Sequence, residues 1–255
     1  GSQGSSKSTT SKVIKKIVDP SKLDISSLPK DKNELIQILG HHYLICFDNL
    51  SYLPPWATNL FCTAATGGGF SKRELYTNDD DVIYNFRRCI ILNGINLVSN
   101  QPDLLDRALL FELERIDEKK RKTEKEFWDN FNADLPAMMA GIFDTLVKAM
   151  EIFPKIDTPT LTRMADFYRW GCAIAQALGY TQEDFIAAYE ENIKEQNSAV
   201  LVEDIVASAV ISFMETQSEW EGTASNLLDD LGGYFSLAGK SRFVPNNHAA
   251  LSKRL

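Results

Sequence analysis

The stretch "YLICFD", residues 43–48, decides the fold class of this chain. It is an apolar run that ends in a carboxylate, and it lacks the alternation of apolar and polar residues typical of a half-exposed strand. Such a run predicts a strand buried on both faces, as in a parallel sheet with helices on each side. Two further apolar runs predict two more strands, "CIILNGI" at residues 89–95 and "ALLFELERI" at residues 108–116.

Helical patterns alternate with these strands, which indicates an α/β domain. Helices are predicted at residues 11–18, 31–39 and 56–65, and a short strand near residues 22–25. The polar segment "TGGGFSKRELYTNDDD", residues 66–81, contains three glycines and is predicted to be a long loop.

The second half of the chain, from residue 122 onward, has helical periodicity and almost no strand signal. Further helices are predicted at residues 163–179, 183–196, 202–216 and 221–235. Between residues 127 and 150, apolar residues recur at spacings of three and four, which predicts a core-facing stripe on a long helix. The stripe consists of Phe127, Phe131, Leu135, Met138, Ile142, Leu146 and Met150.

The composition excludes several classes of protein. The 255 residues include 27 basic and 35 acidic ones, for a net charge of −8, which argues against a general nucleic-acid-binding protein. The basic run at residues 119–122 alternates with acidic residues, so it is interpreted as a solvated helix face, with a patch that contacts a nucleic-acid backbone as the alternative. No apolar run approaches the roughly 20 residues of a membrane span, and no signal segment follows the N-terminus, so a cytoplasmic protein is expected.

Cysteines and histidines form no spacing typical of a metal site. The widely separated cysteines are Cys46, Cys62, Cys89 and Cys172. Cys46 and Cys89 lie within apolar runs, so we expect small buried hydrophobic residues in a reducing compartment. The histidines are His41, His42 and His248, and no zinc site is expected from them.

The opening stretch "GSQGSSKST", residues 1–9, is close to the phosphate-binding pattern G-x-x-x-x-G-K-[ST]. It supplies Gly1, Gly4, Lys7 and Ser8, with a helix behind them that would point its N–H groups at a phosphate. The pattern requires glycine at the sixth position, where this chain has Ser6. A serine there costs about 1 kcal/mol or more if its backbone is left-handed. A phosphate-binding loop and a disordered serine-rich start therefore both remain open at this point.

Asp48 and Asn49 follow the first buried strand. A carboxylate at the end of a buried parallel strand holds the Mg²⁺ shell in nucleoside triphosphatases (NTPases) of this kind. Asn49 cannot accept a proton, but it can orient a water molecule. The alternative for Asp48 is a turn or helix-capping carboxylate after a strand.

Two further polar residues follow in chain order. Asn93 ends the second buried run, where it could contact the γ-phosphate or the attacking water, or could simply form an Asn-Gly turn. Arg107 enters the third predicted strand, where it could stabilise transferred phosphate across a subunit boundary, an effect of about 10³–10⁵ in rate in other NTPases. Its alternative is a surface pair with Asp106, which contributes little. The order of loop, carboxylate, asparagine, arginine and helical region favours a ring-forming NTPase over a small kinase.

The block at residues 47–113, with "FDNLSYLPPW", "TGGGFSKRELYT", "ILNGI" and "PDLLDRALLFEL", strongly resembles a family of bacterial phage and mobile-element ATPases. These are described as P-loop, AAA+-like or superfamily-3-helicase-like proteins, related to the helicase part of primase-helicases. "RMADFYRWGCAIAQALGY" and "WEGTASNLLDDL" also resemble this family, so the resemblance spans nearly the whole chain.

The resemblance implies ATP and Mg²⁺ as cofactors and assigns a role to several residues. Lys7 and Ser8 resemble the Walker A pair, Asp48 and Asn49 the end of Walker B, Asn93 sensor 1, and Arg107 the arginine finger. The implied nucleotide-binding residues are Gly1, Gly4, Ser5, Ser6, Lys7, Ser8, Thr9 and Arg163, the last as a sensor-2-like arginine. Ser8 and Asp48 would hold Mg²⁺, and Lys72 and Arg73 would face DNA or a neighbouring subunit.

The expected fold is an α/β P-loop NTPase core with an AAA+/RecA-like parallel sheet, in residues 1–117. Because the chain begins without the strand that should carry the loop, we expect this core to be N-terminally truncated, with its first strand missing. An all-helical region at residues 118–198 and a winged-helix-like, incomplete region at residues 199–255 complete the expected organisation.

The expected function is an ATP-dependent DNA-remodelling or helicase-like motor of phage or mobile-element replication. It would act on single-stranded DNA as a homo-oligomeric ring, such as a hexamer, and hydrolyse ATP at subunit interfaces, with no membrane partner. The alternative, favoured by Ser6, is a degenerate nucleotide-binding protein that recruits DNA or partners without motor activity. A purely DNA-binding helical module is the third possibility, and the acidic net charge weighs against it.

Overall fold

The structure, a computed structural model, describes residues 4–73, 81–94, 101–158, 162–215, 217–237 and 244–255. The chain forms two compact units, Gly1–Asn192 and Ile193–Leu255. The boundaries predicted after residues 117 and 198 stay predictions, as does the P-loop class of the first unit.

The first unit begins with a layer of helices and strands and continues as helices. Its elements in chain order are α1 (Lys7–Val18), α2 (Lys32–His41), β1 (Leu44–Leu50), α3 (Pro55–Thr66), β2 (Gly68–Arg73), β3 (Asp81–Phe86), β4 (Cys89–Gly94), α4 (Pro102–Leu105), α5 (Glu124–Ile152), α6 (Ala165–Ala177) and α7 (Gln182–Glu203). The last of these helices extends into the second unit.

The sheet that carries the predicted site is a parallel pair of β1 and β4, with Leu44 opposite Cys89 and Phe47 opposite Leu92. Parallel pairing of these two predicted strands is therefore confirmed. Phe47 is fully buried in a core formed with α2 and α3, because the helices cover the apolar face of β1. This core fixes the carboxyl ends of the two strands at one common edge.

At its other edge, β1 forms backbone hydrogen bonds with a single residue of the preceding segment, Ser26. The Ser26 N–H donates to the Cys46 carbonyl (2.9 Å), and the Asp48 N–H donates to the Ser26 carbonyl (3.0 Å). The strand predicted at residues 22–25 is wrong, because only this isolated bridge, just after that segment, joins the sheet.

The glycine-rich segment differs from the predicted long loop. β2 and β3 form an antiparallel hairpin, in register from Gly68 opposite Phe86 to Arg73 opposite Asp81. Gly67 ends α3 in a left-handed conformation (φ 87°). A Cβ on Gly68 would lie 2.1 Å from Thr63 Cγ2, so these glycines allow a close turn into a strand rather than a loop.

Two expectations for the second and third apolar runs are also wrong. Residues 108–117 form no strand, and Phe111 in this segment is 76% exposed. Cys89, at the start of β4, is exposed, whereas Cys46 is buried as expected. Among the described strands only β1 pairs with β4, so residues 108–117 do not extend this sheet.

Three contacts fix the direction of α1 against β1. Cys46 Sγ lies 3.6 Å from the Ser11 carbonyl oxygen, Lys15 Nζ donates to the Leu44 carbonyl (2.6 Å), and Asp19 Oδ2 accepts from the Leu44 N–H (3.0 Å). Later residues of α1 thus meet earlier residues of β1. The helix and the strand are therefore antiparallel.

The ion pair of Lys15 and Asp19 stabilises this antiparallel packing of α1 on β1. The Lys15 side chain is 2% exposed, and its Nζ lies 2.7 Å from Asp19 Oδ2 and 3.4 Å from His42 Nδ1. Burial alone would raise the pKa of Asp19, but hydrogen bonds from Lys15 and from the Leu44 N–H lower it below its usual value. Burial and then the Lys15 charge lower the pKa of His42.

The long helix α5 begins where Thr123 accepts a hydrogen bond from the Glu126 N–H. The basic run at residues 119–122 precedes it and lies in a 3₁₀ turn (Glu118–Lys120) and the residues after that turn. The expected helix face is therefore wrong. The physical reason is electrostatic: cations are unfavourable at a helix N-terminus, so α5 begins after the basic run.

The predicted core stripe of α5 holds only in its first half. Phe131 is buried and packs edge-on against Trp128. Further along, Ile142, Leu146 and Met150 are 42%, 41% and 58% exposed, so the expectation that they face a core is wrong. With Phe143 and Val147, each 56% exposed, they form what we call the α5 apolar face.

Helices α6 and α7 are joined by aromatic packing. Tyr168 contacts Phe185 and Tyr189, and Phe167 contacts the same two rings. A Cβ on Gly171 would lie 2.0 Å from the Phe185 ring. The glycine therefore lets the two helices approach closely.

The second unit contains α8 (Ile205–Met214) and α9 (Ala224–Leu237), as the helical periodicity predicts, and a short helix that was not predicted, α10 (His248–Ser252). Leu231 and Leu251 are fully buried in its core. Asp204 caps α8 and pairs with Arg254 at 2.6 Å. Its described residues include no strand, so the winged-helix assignment stays a prediction.

In the described part of the chain, no single helix is long and apolar enough to cross a membrane; α7 and α8, which meet at a bend, reach that length and apolar composition only when taken together.

We predict that Lys15→Ala lowers the free energy of unfolding by about 3 kcal/mol, because it leaves the partly buried Asp19 carboxylate and the Leu44 carbonyl without their charged donor. Urea unfolding followed by circular dichroism measures this change. Lys12→Ala is the control on the same helix, since its ion pair with Glu124 is long (4.0 Å) and exposed, and it should change the value by less than about 1 kcal/mol. Equal effects of the two substitutions would contradict the structural role of the buried pair.

Candidate functional site

The antiparallel packing of α1 on β1 brings the N-terminus of the helix to the carboxyl end of the strand. Ser11 is level with Cys46. From there, Lys7 lies four residues back along the helix, about 6 Å, and Asp48 lies two residues on along the strand, about 6.6 Å. Lys7 and Asp48 are therefore at the same edge of the sheet.

The loop before α1 contains two residues with a positive φ angle. Gly4 has φ 78°, and Ser6 has φ 58° and ψ 28°, so both are left-handed. The Ser6 side chain makes no capping hydrogen bond, and the first turn of α1 contains no acidic residue. The positive end of the helix dipole is thus not neutralised by a carboxylate of its own first turn. Gly1 lies outside the described residues.

Lys7, Ser8 and Thr9 form the first residues of α1, directly after the left-handed Ser6. Lys7 Nζ donates to Ser5 Oγ over 3.2 Å. Ser5 itself is buried (4% exposed), which anchors the loop against the unit. The sequence-predicted residues from Gly4 to Thr9 thus form one continuous turn and helix start.

Asp48 and Asn93 are in direct contact at the end of the parallel pair. Asn93 is 6% exposed, and its Nδ2 donates to Asp48 Oδ1 over 2.7 Å. The Asn49 N–H donates to the same oxygen (2.8 Å), and Asn49 is left-handed (φ 57°). Within the described residues, Oδ2 of Asp48 accepts no hydrogen bond and can act as an acceptor for a ligand.

Arg107 and Arg163 meet at a shared carboxylate. Arg107 donates to the Asp103 carbonyl and lies 3.2 Å from the Asp103 carboxylate, while Arg163 pairs with both Asp103 (2.8 Å) and Asp106 (2.9 Å). The hydrogen bond from Arg107 lowers the pKa of Asp103 below its usual value. Asp106 therefore pairs with Arg163, so the alternative of an Asp106–Arg107 surface pair is wrong.

This arginine pair adjoins an open cleft of about 310 Å³, lined by Arg107, Asp103 and side chains of α3 that include Asn59, Thr63 and Thr66. Arg107 lies in the turn after α4 and not at the start of a strand. Its side chain is 13% exposed, and its Nε is buried without a hydrogen-bond partner in the part of the chain that is described.

Two predicted residues, Lys72 and Arg73, lie in β2, but their side chains are outside the described residues.

A cation at this edge would depend on few protein ligands. Among the described residues, no group of three or more histidine, cysteine, aspartate or glutamate side chains could hold a metal ion. Mg²⁺ in nucleotide sites needs no such group, because one carboxylate, water and substrate phosphates complete its shell. Oδ2 of Asp48 and the Ser8 hydroxyl on α1 are oxygen donors of the right chemical type.

One basic residue that lies near the loop before α1 was not predicted from the sequence. Arg121 Nη2 lies 3.5 Å from the position that a Cβ on Gly4 would occupy. Nothing in the local sequence distinguishes Arg121 from its basic neighbours. Its separation from Gly4 along the chain makes this contact a product of tertiary structure.

We predict that Ser6→Gly raises the free energy of unfolding by about 0.5–1 kcal/mol, because relief of the left-handed strain exceeds the chain entropy that glycine adds to the unfolded state. Ser8→Gly, at the second residue of α1, is the matched control and should lower the free energy of unfolding by about 0.5 kcal/mol. The urea midpoints of the two variants should move in opposite directions. A fall for Ser6→Gly would contradict the observed backbone.

Comparison with protein families identifies both parts of the chain. Residues 1–197 match the family described as actinomycete integrative conjugative element replication protein. Residues 206–255 match the AICE RepA C-terminal domain. No curated protein and no solved structure matches the chain. Because the first match alone covers well over half of the residues, the chain belongs to the actinomycete integrative conjugative element replication protein family.

Proposed function

We propose that this replication protein binds and hydrolyses ATP with Mg²⁺, and that hydrolysis drives DNA remodelling during replication of the mobile element. The family membership supplies the replication role. The chemistry of the α1–β1 edge supports the ATPase part of the proposal.

One observation in particular supports the ATPase part of the proposal. The N-terminus of α1, with its left-handed loop and Lys7, lies at the same sheet edge as the hydrogen-bonded Asp48 and Asn93. A helix N-terminus and a lysine suit phosphates, and an adjacent strand-end carboxylate suits the Mg²⁺ that accompanies them. Two elements that are far apart in sequence thus supply both halves of a nucleotide site.

Each residue has a role that its position permits. The N–H groups at the start of α1 and Lys7 bind the phosphate oxygens, and the Ser8 hydroxyl and Asp48 Oδ2 hold Mg²⁺. A Mg²⁺ ion held by these two oxygens would neutralise charge that develops on the phosphates. Asn93 fixes the Asp48 carboxylate through its 2.7 Å hydrogen bond, so that Oδ2 keeps a constant orientation. Asn49 orients the attacking water.

We also propose that the protein works as a homo-oligomer on single-stranded DNA. The α5 apolar face supports self-association, because contiguous exposed apolar surface commonly marks an interface. Arg107 would act on the nucleotide of a neighbouring subunit. It would first have to exchange its bonds to Asp103 for bonds to phosphate.

A second candidate function is a nucleotide-binding protein without motor activity that recruits DNA or partners. The left-handed Ser6 favours it, since a strained residue beside the phosphates weakens the loop. The pairing of Arg107 with Asp103 favours it as well, because the arginine charge is already neutralised within the chain.

We predict that Lys7→Ala and Asp48→Ala each lower the steady-state ATPase rate at least about tenfold, because each removes a charge that contacts the phosphates or Mg²⁺. The assay uses the full chain with and without single-stranded DNA. Lys12→Ala, on the same helix and outside the site, should keep the wild-type rate. Rates unaffected by Lys7→Ala and Asp48→Ala would contradict the ATPase proposal, whereas ATP binding without turnover would favour the second candidate.

We predict that Phe143→Asp combined with Val147→Asp shifts the protein toward a monomer, because the two carboxylates would be buried in the proposed interface. Sedimentation velocity at several protein concentrations measures the oligomeric state. Lys148→Asp places a carboxylate on the same helix at an exposed position outside the α5 apolar face, and it should leave the state unchanged. A wild-type protein that stays monomeric at all concentrations would contradict self-association.

A further inference from the structure

The segment between residues 116 and 121 crosses the loop that precedes α1. The Ile116 N–H donates to the Gly4 carbonyl over 3.4 Å. Five residues later, Arg121 Nη2 reaches the Cα side of the same glycine, 3.5 Å from the position of a Cβ. The guanidinium thus lies beside the left-handed turn that begins the proposed phosphate site.

The local backbone fixes the position of Arg121. The Asp117 carboxylate accepts from the Lys119 N–H (3.0 Å) and begins the 3₁₀ turn Glu118–Lys120. The Arg121 N–H donates to the Glu118 carbonyl at the end of this turn (3.4 Å). The turn therefore directs the side chain toward the loop without help from an ion pair.

The ion pairs of this region are formed by basic residues near Arg121 and not by Arg121 itself. Arg115 pairs with Glu118 (3.5 Å), Lys122 with Glu126 (4.0 Å) and Lys12 with Glu124 (4.0 Å). Among the described residues, no carboxylate lies within 4.0 Å of the Arg121 guanidinium. Its charge is thus available for another anion.

The electrostatics at the loop favour an anion with several oxygens. Lys7, Arg121 and the N-terminus of α1 all contribute positive charge there, and the first turn of α1 has no acidic residue. A guanidinium presents two parallel N–H groups, which match two oxygens of one phosphate, whereas a lysine provides a point charge.

We infer that Arg121 is a second phosphate-binding cation of this site, in the same chain as the loop, and that it contacts the phosphates of the bound nucleoside triphosphate. This inference rests on the proposed function, because it assigns a further residue to the same nucleotide site. It gives a binding role to a residue of the basic run that the sequence alone places on a solvated face.

Isothermal titration of the full chain with ATP and Mg²⁺ tests the inference. Arg121→Ala should weaken ATP binding about tenfold or more, and Arg121→Lys should restore part of the loss, since it returns the charge without the planar fork. Lys122→Ala and Arg115→Ala are the matched controls, because their cations are exposed and already paired, and they should change the affinity less than about twofold. Arg121 is exposed, so the thermal midpoint of Arg121→Ala should equal that of the wild type.

The outcomes separate the two proposals. ATP binding by the wild type that Arg121→Ala leaves unchanged would overturn the role of Arg121 and leave the nucleotide site standing. Equal losses for Arg121→Ala and Lys122→Ala would also overturn it, since general positive charge would then explain the effect. A wild-type chain that binds no ATP would overturn the proposed function together with this inference.

Discussion

The ion pair of the buried Lys15 with the partly buried Asp19 is the interaction on which the candidate site depends. Lys15 extends from α1 to the Leu44 carbonyl, and Asp19 accepts backbone N–H groups at the start of β1. Both contacts hold the C-terminal end of the helix at the first residues of the strand. Because α1 is one continuous helix of 12 residues, this anchor also determines that its N-terminus lies at the last residues of the strand, at the same edge as Asp48.

At that edge the protein combines a strained loop with a rigid carboxylate. Ser6 adopts a backbone conformation that glycine would adopt without strain, while Asn93 and the Asn49 N–H hold one oxygen of Asp48 in place. Strain that persists in a folded protein must be opposed by surrounding contacts, and the buried Ser5 and the helix α1 provide them here. The family membership gives this edge a biological setting in mobile-element replication. Nucleotide binding at the edge remains our proposal.

Basic residues in this protein divide into those neutralised within the chain and those available to a ligand. Arg107 and Arg163 share Asp103, and Arg163 also pairs with Asp106. Arg121, in contrast, lies beside the loop without a carboxylate partner among the described residues. Charge alone therefore does not identify the binding residues, because pairing decides which charges remain available.

The sequence by itself determined most of the helices and the two parallel strands, because continuous apolar runs specify buried parallel strands, whose carboxyl ends meet at one edge. It placed Asp48 and Asn93 at the ends of these strands, whereas the hydrogen bond between them is a finding of the tertiary structure. No strand was predicted at β3, although "DVIYNF" is rich in residues that favour strands. Only the tertiary structure decided that Arg107 and Arg163 converge, that the α5 apolar face stays exposed and that Arg121 reaches Gly4. These features depend on packing between segments far apart in the chain, and no local periodicity or propensity records which surfaces meet.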